Sequence, residues 1–330
     1  MTPNAITRRT FCRLAASAAL ALGLAAPGAM AQDKGELVYM TPGLDLAFWR
    51  YVSEGVKSVA EENGYGFSAL DSTNDPQTQL QNAQDAIARG VAGIVLSPTD
   101  SSTAPAVLDL AQDAGIPVVI ADIGTDSGEF VSVIGSNNYE GANGVGQALA
   151  EAMTAEGKEG GSIGIVGISQ ARLNGQARTK GFKDAVTEAG ITGDAGLQQM
   201  QAYTADETFR FTQDMITANP DMSGMFVQTD GPTLGALRAI KAARADGDIL
   251  VGAFDGIPEF VPLLQSGELV VSGMQQPYLM GQRSAEAMVQ HLNGETPEKE
   301  ITVPILIVTK DNIDDQLETI KETVFANEIE

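Results

Sequence analysis

The sequence predicts an α/β protein with two lobes of similar build, each a mostly parallel sheet flanked by helices, connected by a three-segment hinge. Short apolar runs alternate with segments of helical period, which is typical of buried parallel strands and their crossover helices. The alternation starts again near residue 138, after a first complete unit. A length of 330 residues is also more than one hydrophobic core usually holds, which favours two domains.

The first predicted unit begins at residue 36. Its apolar runs predict strands at 36–41, 66–71, 93–96, 117–122 and 131–135. Helical periodicity predicts the intervening helices at 48–63, 77–89 and 102–114. Gly64, Gly90 and Gly115 follow these helices directly. A residue in the left-handed conformation commonly ends a helix at that position, and glycine adopts it without strain.

The second unit repeats this pattern. Its predicted helices are 140–155, 175–189, 207–218 and 233–245, and its predicted strands are 162–167, 196–202, 223–229 and 248–254. A helix at 278–292 and a strand at 301–308 follow, and either lobe could use them. We expect the chain to cross between the lobes near 136–138, 274–277 and 303–305. Three such crossings would form a hinge around a cleft, where small molecules commonly bind.

Four apolar runs each end in one hydrogen-bonding side chain. These side chains are Asp122, Asp230, Asp255 and Gln275. Ligands of open α/β sheets bind at the carboxyl ends of the strands, and a carboxylate can accept hydrogen bonds from two neighbouring hydroxyls. The pattern therefore favours a hydroxyl-rich ligand. The alternative is that each aspartate only caps the next helix, which explains a single strand end better than four.

The N-terminal segment is typical of an export signal. Arg8 and Arg9 precede an apolar stretch at 14–26, and residues 29–31 read Ala-Met-Ala. This predicts a twin-arginine signal peptide of residues 1–31, cleaved after Ala31, and a protein exported to the periplasm. The apolar stretch is too short to span a bilayer. The only cysteine, Cys12, lies in this segment, so the processed chain would contain no thiol.

Composition and motifs exclude several classes of function. The formal net charge of −23 repels nucleic acid and anionic lipid headgroups, so no nucleic-acid partner is expected. The sequence has no Gly-x-Ser-x-Gly elbow, no His-Glu-x-x-His motif and no Walker phosphate loop. Its one histidine, His291, is expected on a helix surface. We therefore expect no catalytic residue, no metal and no cofactor. The alternative is a secreted glycosidase with Asp122 and Asp255 as paired carboxylates.

Several motifs, taken in order, resemble a known family. They are Phe48-Trp49, Leu70-Asp71-Ser72, Ser97-Pro98-Thr99-Asp100, Ser136-Asn137-Asn138, Arg178-x-x-Gly181-Phe182 and Gly252-x-x-Asp255-Gly256. Over residues 36–310 their order and spacing resemble the periplasmic sugar-binding proteins of the ribose-binding type, which have the type I periplasmic binding fold. The resemblance implies that the two lobes close on a monosaccharide and present it to the membrane permease of an ATP-driven (ABC) importer. We expect a monomer, and the resemblance leaves a chemoreceptor open as a further partner.

The resemblance also implies lobe boundaries and ligand contacts. The N-terminal lobe would comprise 32–137 and 276–303, and the C-terminal lobe 138–275 and 304–330. The implied ligand-binding residues are the aromatic Phe48, Trp49 and Tyr203 with the polar Ser97, Asp122, Asn138, Arg178, Thr229, Asp230, Asp255 and Gln275. Among these, Asp255 is expected to contribute most to binding.

Four departures from the ribose pattern bear on specificity, and one of them is Thr229, which stands before Asp230 in place of an asparagine. Ser97 replaces an asparagine, Ile123 replaces an arginine after Asp122, and a longer first loop introduces Asp45, which we add to the ligand-binding set. Losing a guanidinium and gaining a carboxylate changes which ligand hydroxyls can be paired, and a buried unpaired group costs about 1–3 kcal/mol. We therefore expect a small neutral ligand other than ribose: a different pentose, a hexose, a sugar alcohol or a cyclitol.

Overall fold

The computed structural model describes residues 34–328. The predicted signal peptide at 1–31 lies outside the described residues. The first half of the described chain forms strands and helices in alternation. These are β1 (Glu36–Thr41), α1 (Ala47–Glu62), β2 (Gly66–Asp71), α2 (Pro76–Arg89), β3 (Gly93–Leu96), α3 (Ala104–Asp113), β4 (Val118–Ala121) and β5 (Ser132–Gly135).

The second half repeats the alternation and ends with two short strands and a helix. Its helices are α4 (Asn138–Ala155), α5 (Leu173–Glu188), α6 (Ala205–Ala218), α7 (Thr233–Ala242), α8 (Phe260–Ser266), α9 (Pro277–Leu292) and α10 (Ile313–Thr323). Its strands are β6 (Ser162–Gly167), β7 (Gly193–Gln199), β8 (Met222–Val227), β9 (Leu250–Phe254), β10 (Val271–Met274), β11 (Glu300–Thr302) and β12 (Leu306–Thr309).

The strands form two six-stranded sheets of the same topology. The first has the order β11-β5-β4-β3-β1-β2 and the second β12-β10-β9-β8-β6-β7. All pairings in the first sheet are parallel, whereas β12 runs antiparallel to β10 at the edge of the second. The chain passes from one sheet to the other between β5 and α4, between β10 and α9, and between β11 and β12. We call the parts built on the two sheets the first and second lobes.

Both faces of each sheet are buried, as expected for parallel sheets covered by helices. Along β1, Leu37 and Tyr39 pack in one hydrophobic cluster while Val38 and Met40 pack in another. Successive side chains of a strand point to opposite faces, so the two clusters are the two faces of the first sheet. The second sheet likewise separates two clusters. The strands that carry the predicted site residues are therefore packed on both faces.

The structure corrects the prediction near the C-terminus. The single strand expected at 301–308 is two strands, β11 in the first sheet and β12 in the second, separated by residues 303–305. Pro304 lies in this connection. Proline lacks the N–H that a continuous strand needs for its ladder, so the apolar run is divided between the lobes. Two further elements, α8 and α10, were not predicted.

The predicted strand at 196–202 begins earlier, because β7 spans Gly193–Gln199. Gly193 and Asp194 are weak strand formers, which explains why the sequence pattern placed the start of this strand too late.

His291 lies exposed near the end of α9. Among residues 34–328, no helix has both the length and the apolar character needed to cross a membrane.

Candidate ligand-binding site

Two aspartates occupy equivalent positions in the two lobes. Asp122 follows β4 and Asp255 follows β9, and these strands hold the same place in their sheets. The backbone N–H of each donates to a carbonyl of the neighbouring strand, Ile134 for the first and Gly273 for the second. Both residues have a positive φ, 64° and 63°. This left-handed conformation is uncommon outside glycine, although aspartate adopts it more readily than most residues. It places both carboxylates at the cleft between the lobes.

Asp255 belongs to a buried network centred on Arg178. Its Oδ2 accepts from Arg178 Nη1 at 3.1 Å and its Oδ1 from Gln275 Nε2 at 2.8 Å. Arg178 also donates to Asn138 Oδ1 at 2.8 Å and to the carbonyl of Gln228 at 2.7 Å. The guanidinium lies over the ring of Phe254 at 4.0 Å from its centroid. Each of these contacts restricts the arginine, so the planar fork is held in one orientation.

Asp122 is less completely paired. Its Oδ2 accepts from Asn174 Nδ2 at 3.0 Å, whereas its Oδ1 is buried without a hydrogen-bond partner. Asn174 Oδ1 and Gln275 Oε1 are also buried and unpartnered. Buried polar atoms are normally satisfied, and leaving one unpaired costs about 1–3 kcal/mol. This part of the structure therefore lacks hydrogen-bond donors for three buried acceptor atoms.

Burial raises the pKa of Asp122 to about 6; the nearby Arg178 guanidinium opposes this shift and the Asp255 carboxylate adds to it. Burial also raises the pKa of Asp255, again against the effect of Arg178. Removing a carboxylate from water disfavours its charged form, while hydrogen bonds donated to it favour that form. Added donors at this site would therefore stabilise the ionised aspartates.

Aromatic and apolar side chains enclose these polar groups. Phe48 and Trp49, at the start of α1, meet edge to face with ring centroids 4.7 Å apart. They line a narrow cleft that opens to solvent. The other lining residues are Leu46, Asp122, Ile168, Arg172, Asn174, Arg178, Tyr203, Thr229 and Asp255. This small cleft between the lobes is hereafter called the inner cavity.

The structure brings most of the predicted site residues together. Seven of them line the inner cavity: Phe48, Trp49, Asp122, Arg178, Tyr203, Thr229 and Asp255. Asn138 and Gln275 lie behind it, where they hold Arg178 and Asp255 in place. Together these nine form one connected group from both lobes.

Three predicted residues lie elsewhere. The Ser97 hydroxyl is fully buried in the first lobe and donates to the carbonyl of Ala121 at 3.0 Å. Asp230 accepts from the backbone N–H of Phe48 at 3.2 Å. It thereby caps α1 from the other lobe, since Leu46 at the N-cap makes no side-chain cap. Asp45 is exposed and lines a neighbouring cavity nearer the solvent.

Two polar cavity residues, Arg172 and Asn174, and two apolar ones, Leu46 and Ile168, were missed by the sequence reasoning. Arg172 is 4% exposed and Asn174 7%. The predicted helix began at residue 175, whereas α5 begins at Leu173. With the observed start, Asn174 and Arg178 are four residues apart and share one helix face. That spacing is the one signal in the sequence that could have identified Asn174.

Comparisons with known proteins agree with this architecture. A family model described as a periplasmic binding protein domain matches residues 37–296. The ribose import binding protein of Haemophilus influenzae is 32% identical over 297 residues, 90% of this chain and 98% of that protein. Its Escherichia coli counterpart is 32% identical over 86% of this chain and 92% of its own length.

Solved structures support the same fold. A carbohydrate transporter solute binding protein from Agrobacterium radiobacter, in complex with D-arabinose, superposes with a TM-score of 0.80 at 24% identity, covering 88% of this chain and 98% of that one. A solute binding protein from Bacillus halodurans with bound myo-inositol gives 0.77 at 23% identity, covering 86% and 97%. The predicted fold class is confirmed, and the chain belongs to the periplasmic binding protein family.

Proposed function

We propose that this protein captures a small neutral polyhydroxylated ligand in the inner cavity and delivers it to an ABC importer. The observation that carries the proposal is the pair of buried acceptors without donors on the lining of the cavity, Asp122 Oδ1 and Asn174 Oδ1. A ligand rich in hydroxyls supplies the missing donors, and hydrogen bonds to charged groups are the stronger ones, about 1.5–3 kcal/mol each.

The charges of the site favour a neutral ligand. The Asp122 and Asp255 carboxylates are balanced by the guanidiniums of Arg172 and Arg178, all four of them buried. A charged ligand would add a charge that none of these four groups compensates, and an uncompensated charge is costly in a buried site. Phe48 and Trp49 add apolar ring surfaces suited to the C–H faces of a sugar or cyclitol. The combination fits a single polyhydroxylated ring.

We propose a ligand other than ribose, although two of the relatives above are named for ribose import. Other relatives are named for D-ribose and D-allose or for D-apiose, so ligand identity varies among proteins of similar sequence. In this chain Ile123 is fully buried and apolar where the ribose pattern has an arginine, and Ser97 is engaged within the first lobe. A different pentose, a hexose, a sugar alcohol or a cyclitol fits these differences.

Several finer features of the prediction remain proposals. The sheet membership of β11 and β12 supports lobes of 32–137 with 276–303 and of 138–275 with 304–330. Membership of a periplasmic family supports export, with cleavage after Ala31 as proposed from the sequence. We propose a monomer, checked by light scattering, and retain a chemoreceptor as a second partner that recognises the closed form. The relatives are import binding proteins, which favours capture over glycoside hydrolysis by Asp122 and Asp255.

A thermal-shift panel tests the proposal directly. Purified protein is heated with D-ribose, D-arabinose, D-allose, a hexitol and myo-inositol, each at millimolar concentration. We expect one non-ribose compound to give the largest shift, since a thousandfold excess over Kd stabilises by roughly 4 kcal/mol. That compound should be recovered unchanged by mass spectrometry. A largest shift with ribose contradicts the specificity, and hydrolysis of a matching glycoside supports the glycosidase instead.

A further inference from the structure

Three consecutive residues of the second lobe reach across the cleft. Arg172 Nε donates to the carbonyl of Thr99 at 2.8 Å, and its Nη2 donates to Asn74 Oδ1 at 2.8 Å. The backbone N–H of Leu173 donates to Ser101 Oγ at 3.2 Å. The third residue, Asn174, donates to Asp122 as described above. All four acceptors belong to the first lobe, so residues 172–174 bond the two lobes to each other directly at the cleft.

Arg172 contributes two of these four bonds and is held in place within its own lobe as well. Its guanidinium lies 5.3 Å from the centroid of the Tyr203 ring. Its hydrogen-bond acceptors are a carbonyl and an amide oxygen, not carboxylates, and burial lowers the pKa of Arg172 accordingly. A buried cation whose direct hydrogen-bond partners are neutral costs stability even with the Asp122 charge nearby, so its position calls for a role beyond packing.

A second cavity lies on the solvent side of Arg172. With its open mouth it encloses about 610 Å³ and is lined by the first loop and by residues after β2 and β7. We call it the outer cavity. It shares four lining residues with the inner cavity: Leu46, Trp49, Arg172 and Tyr203. These four side chains form the wall between the two cavities, and Arg172 is the only one of them hydrogen-bonded to the opposite lobe through its side chain.

We propose that Arg172 seals the inner cavity: by bonding Thr99 and Asn74 across the cleft, it closes the wall to the outer cavity and stabilises the closed form of the two lobes. The inference rests on the proposed function only in taking the inner cavity as the ligand site. Two consequences follow. The four bonds between the lobes involve only protein atoms, so they should favour the closed form in the sugar-free protein as well, and the wall limits the inner cavity on the side of Arg172.

Trp49 provides a direct probe, because it is the only tryptophan in the chain and lines both cavities. It is 5% exposed in the closed form. Acrylamide quenching of its fluorescence, in the full protein without any sugar, therefore reports opening of the wall. Arg172→Ala removes both bonds and the bulk of the side chain, whereas Arg172→Lys keeps the charge but cannot bond both acceptors in the same way.

We expect the quenching constant to rise roughly threefold or more in R172A, because losing two hydrogen bonds shifts a two-state equilibrium about tenfold or more, and to rise by less in R172K. Arg238→Ala is the matched control, since Arg238 pairs with Asp206 on an exposed surface, and its quenching should equal that of wild type. Circular dichroism verifies that each variant is folded.

Equal quenching in wild type and both Arg172 variants would overturn the proposal. So would wild-type quenching as fast as that of a free tryptophan derivative, because the unliganded lobes would then be open. Neither measurement uses a sugar, so failure here is distinct from failure of the thermal-shift panel.

Discussion

Asp122 and Asp255 stand at equivalent strand ends but differ in what their oxygens contact. Both oxygens of Asp255 already accept hydrogen bonds, from Arg178 and Gln275. Asp122 keeps one oxygen unpartnered. The sequence favoured Asp255 as the main contributor to binding, because its strand and the following glycine match the family motif. The contacts in the structure indicate that Asp255 organises the site, while Asp122 offers the free acceptor to a ligand.

Asp122→Asn should therefore weaken binding and leave the fold intact. The substitution replaces one acceptor by a donor, so we expect a loss of about 2–4 kcal/mol, roughly 30- to 1000-fold in Kd. Asparagine also tolerates the positive φ at this position. Because the charged carboxylate is buried at a cost, the unliganded variant should be more stable by about 1–3 kcal/mol at pH 7.

Calorimetry with the strongest compound from the panel, and urea unfolding without it, measure the two effects. Asp109→Asn on the exposed face of α3 is the control and should change neither. Binding within threefold of wild type would show that Asp122 does not contact the ligand.

The sequence indicated Asp122 and Asp255, which lie at the cleft, but missed the cross-lobe residues Arg172 and Asn174, for a physical reason. Asp122 and Asp255 follow apolar strands, and a strand end has a fixed place in a parallel sheet. Arg172 and Asn174 reach their partners only when the lobes are closed, and no local pattern encodes that contact. Ser97 shows the opposite error. It was predicted as a ligand contact because it matches the motif, but its hydroxyl is bonded within its own lobe.

At the scale of elements, both lobes pack helices by close approach at glycine. In the first lobe, a Cβ added to Gly55 of α1 would lie 2.1 Å from the carbonyl oxygen of Tyr278 in α9. One added to Gly281 of α9 would lie 2.1 Å from the Val52 oxygen of α1. The contact matters for the site, since the first turn of α1 carries Phe48 and Trp49 into the cavity. The positions of these helices could be predicted from the sequence, but the close contacts between them at glycine could not.

Gly55→Ala should destabilise the protein by about 2–3 kcal/mol, because the obstructing atom is backbone and the helices must separate. Urea unfolding measures this loss. Gly160→Ala is the control: no atom lies within 4 Å of its added Cβ and its φ is not positive, so its effect should stay within about 0.5 kcal/mol. A similar stability for both variants would mean that α1 and α9 shift apart at little cost.

At the scale of the whole molecule, two separate sets of contacts join the lobes. In one, residues 172–174 bond across the cleft. In the other, the Tyr51 hydroxyl donates to Glu328 at 2.7 Å and its ring packs against Phe325, so the C-terminal segment of the second lobe holds a helix of the first. The repeated strand–helix pattern was sufficient to predict two lobes. The closed arrangement of the lobes depends on these long-range contacts, and the hydrophobic periodicity of the sequence does not predict them.

Closure also buries acidic groups from both lobes, and this gives the unliganded protein a distinctive pH dependence. Burial is the main cause that raises the pKa of Asp122 and of Asp230 to about 6. An unfolded aspartate has a pKa near 3.9. The folded state therefore binds protons more tightly, so the stabilising contribution is complete below about pH 4 and is lost as the pH rises through about 6. The net charge of −23 adds self-repulsion in the same direction.

We therefore expect the free energy of unfolding without ligand to fall between pH 5 and pH 7, as measured by urea titration. Asp122→Asn should reduce this slope, whereas Asp109→Asn should not. Some exposed carboxylates have a lowered pKa, such as Asp184 beside Lys180. Their contribution to stability is lost only below about pH 4, so it does not offset the fall expected between pH 5 and pH 7. A stability that rises from pH 5 to pH 7 would contradict the assignment. Because ligand hydroxyls would donate to the ionised Asp122, a bound ligand should lower the pKa of Asp122 and flatten the pH dependence of the free energy of unfolding. For the same reason the ligand should bind more weakly as the pH falls below about 6.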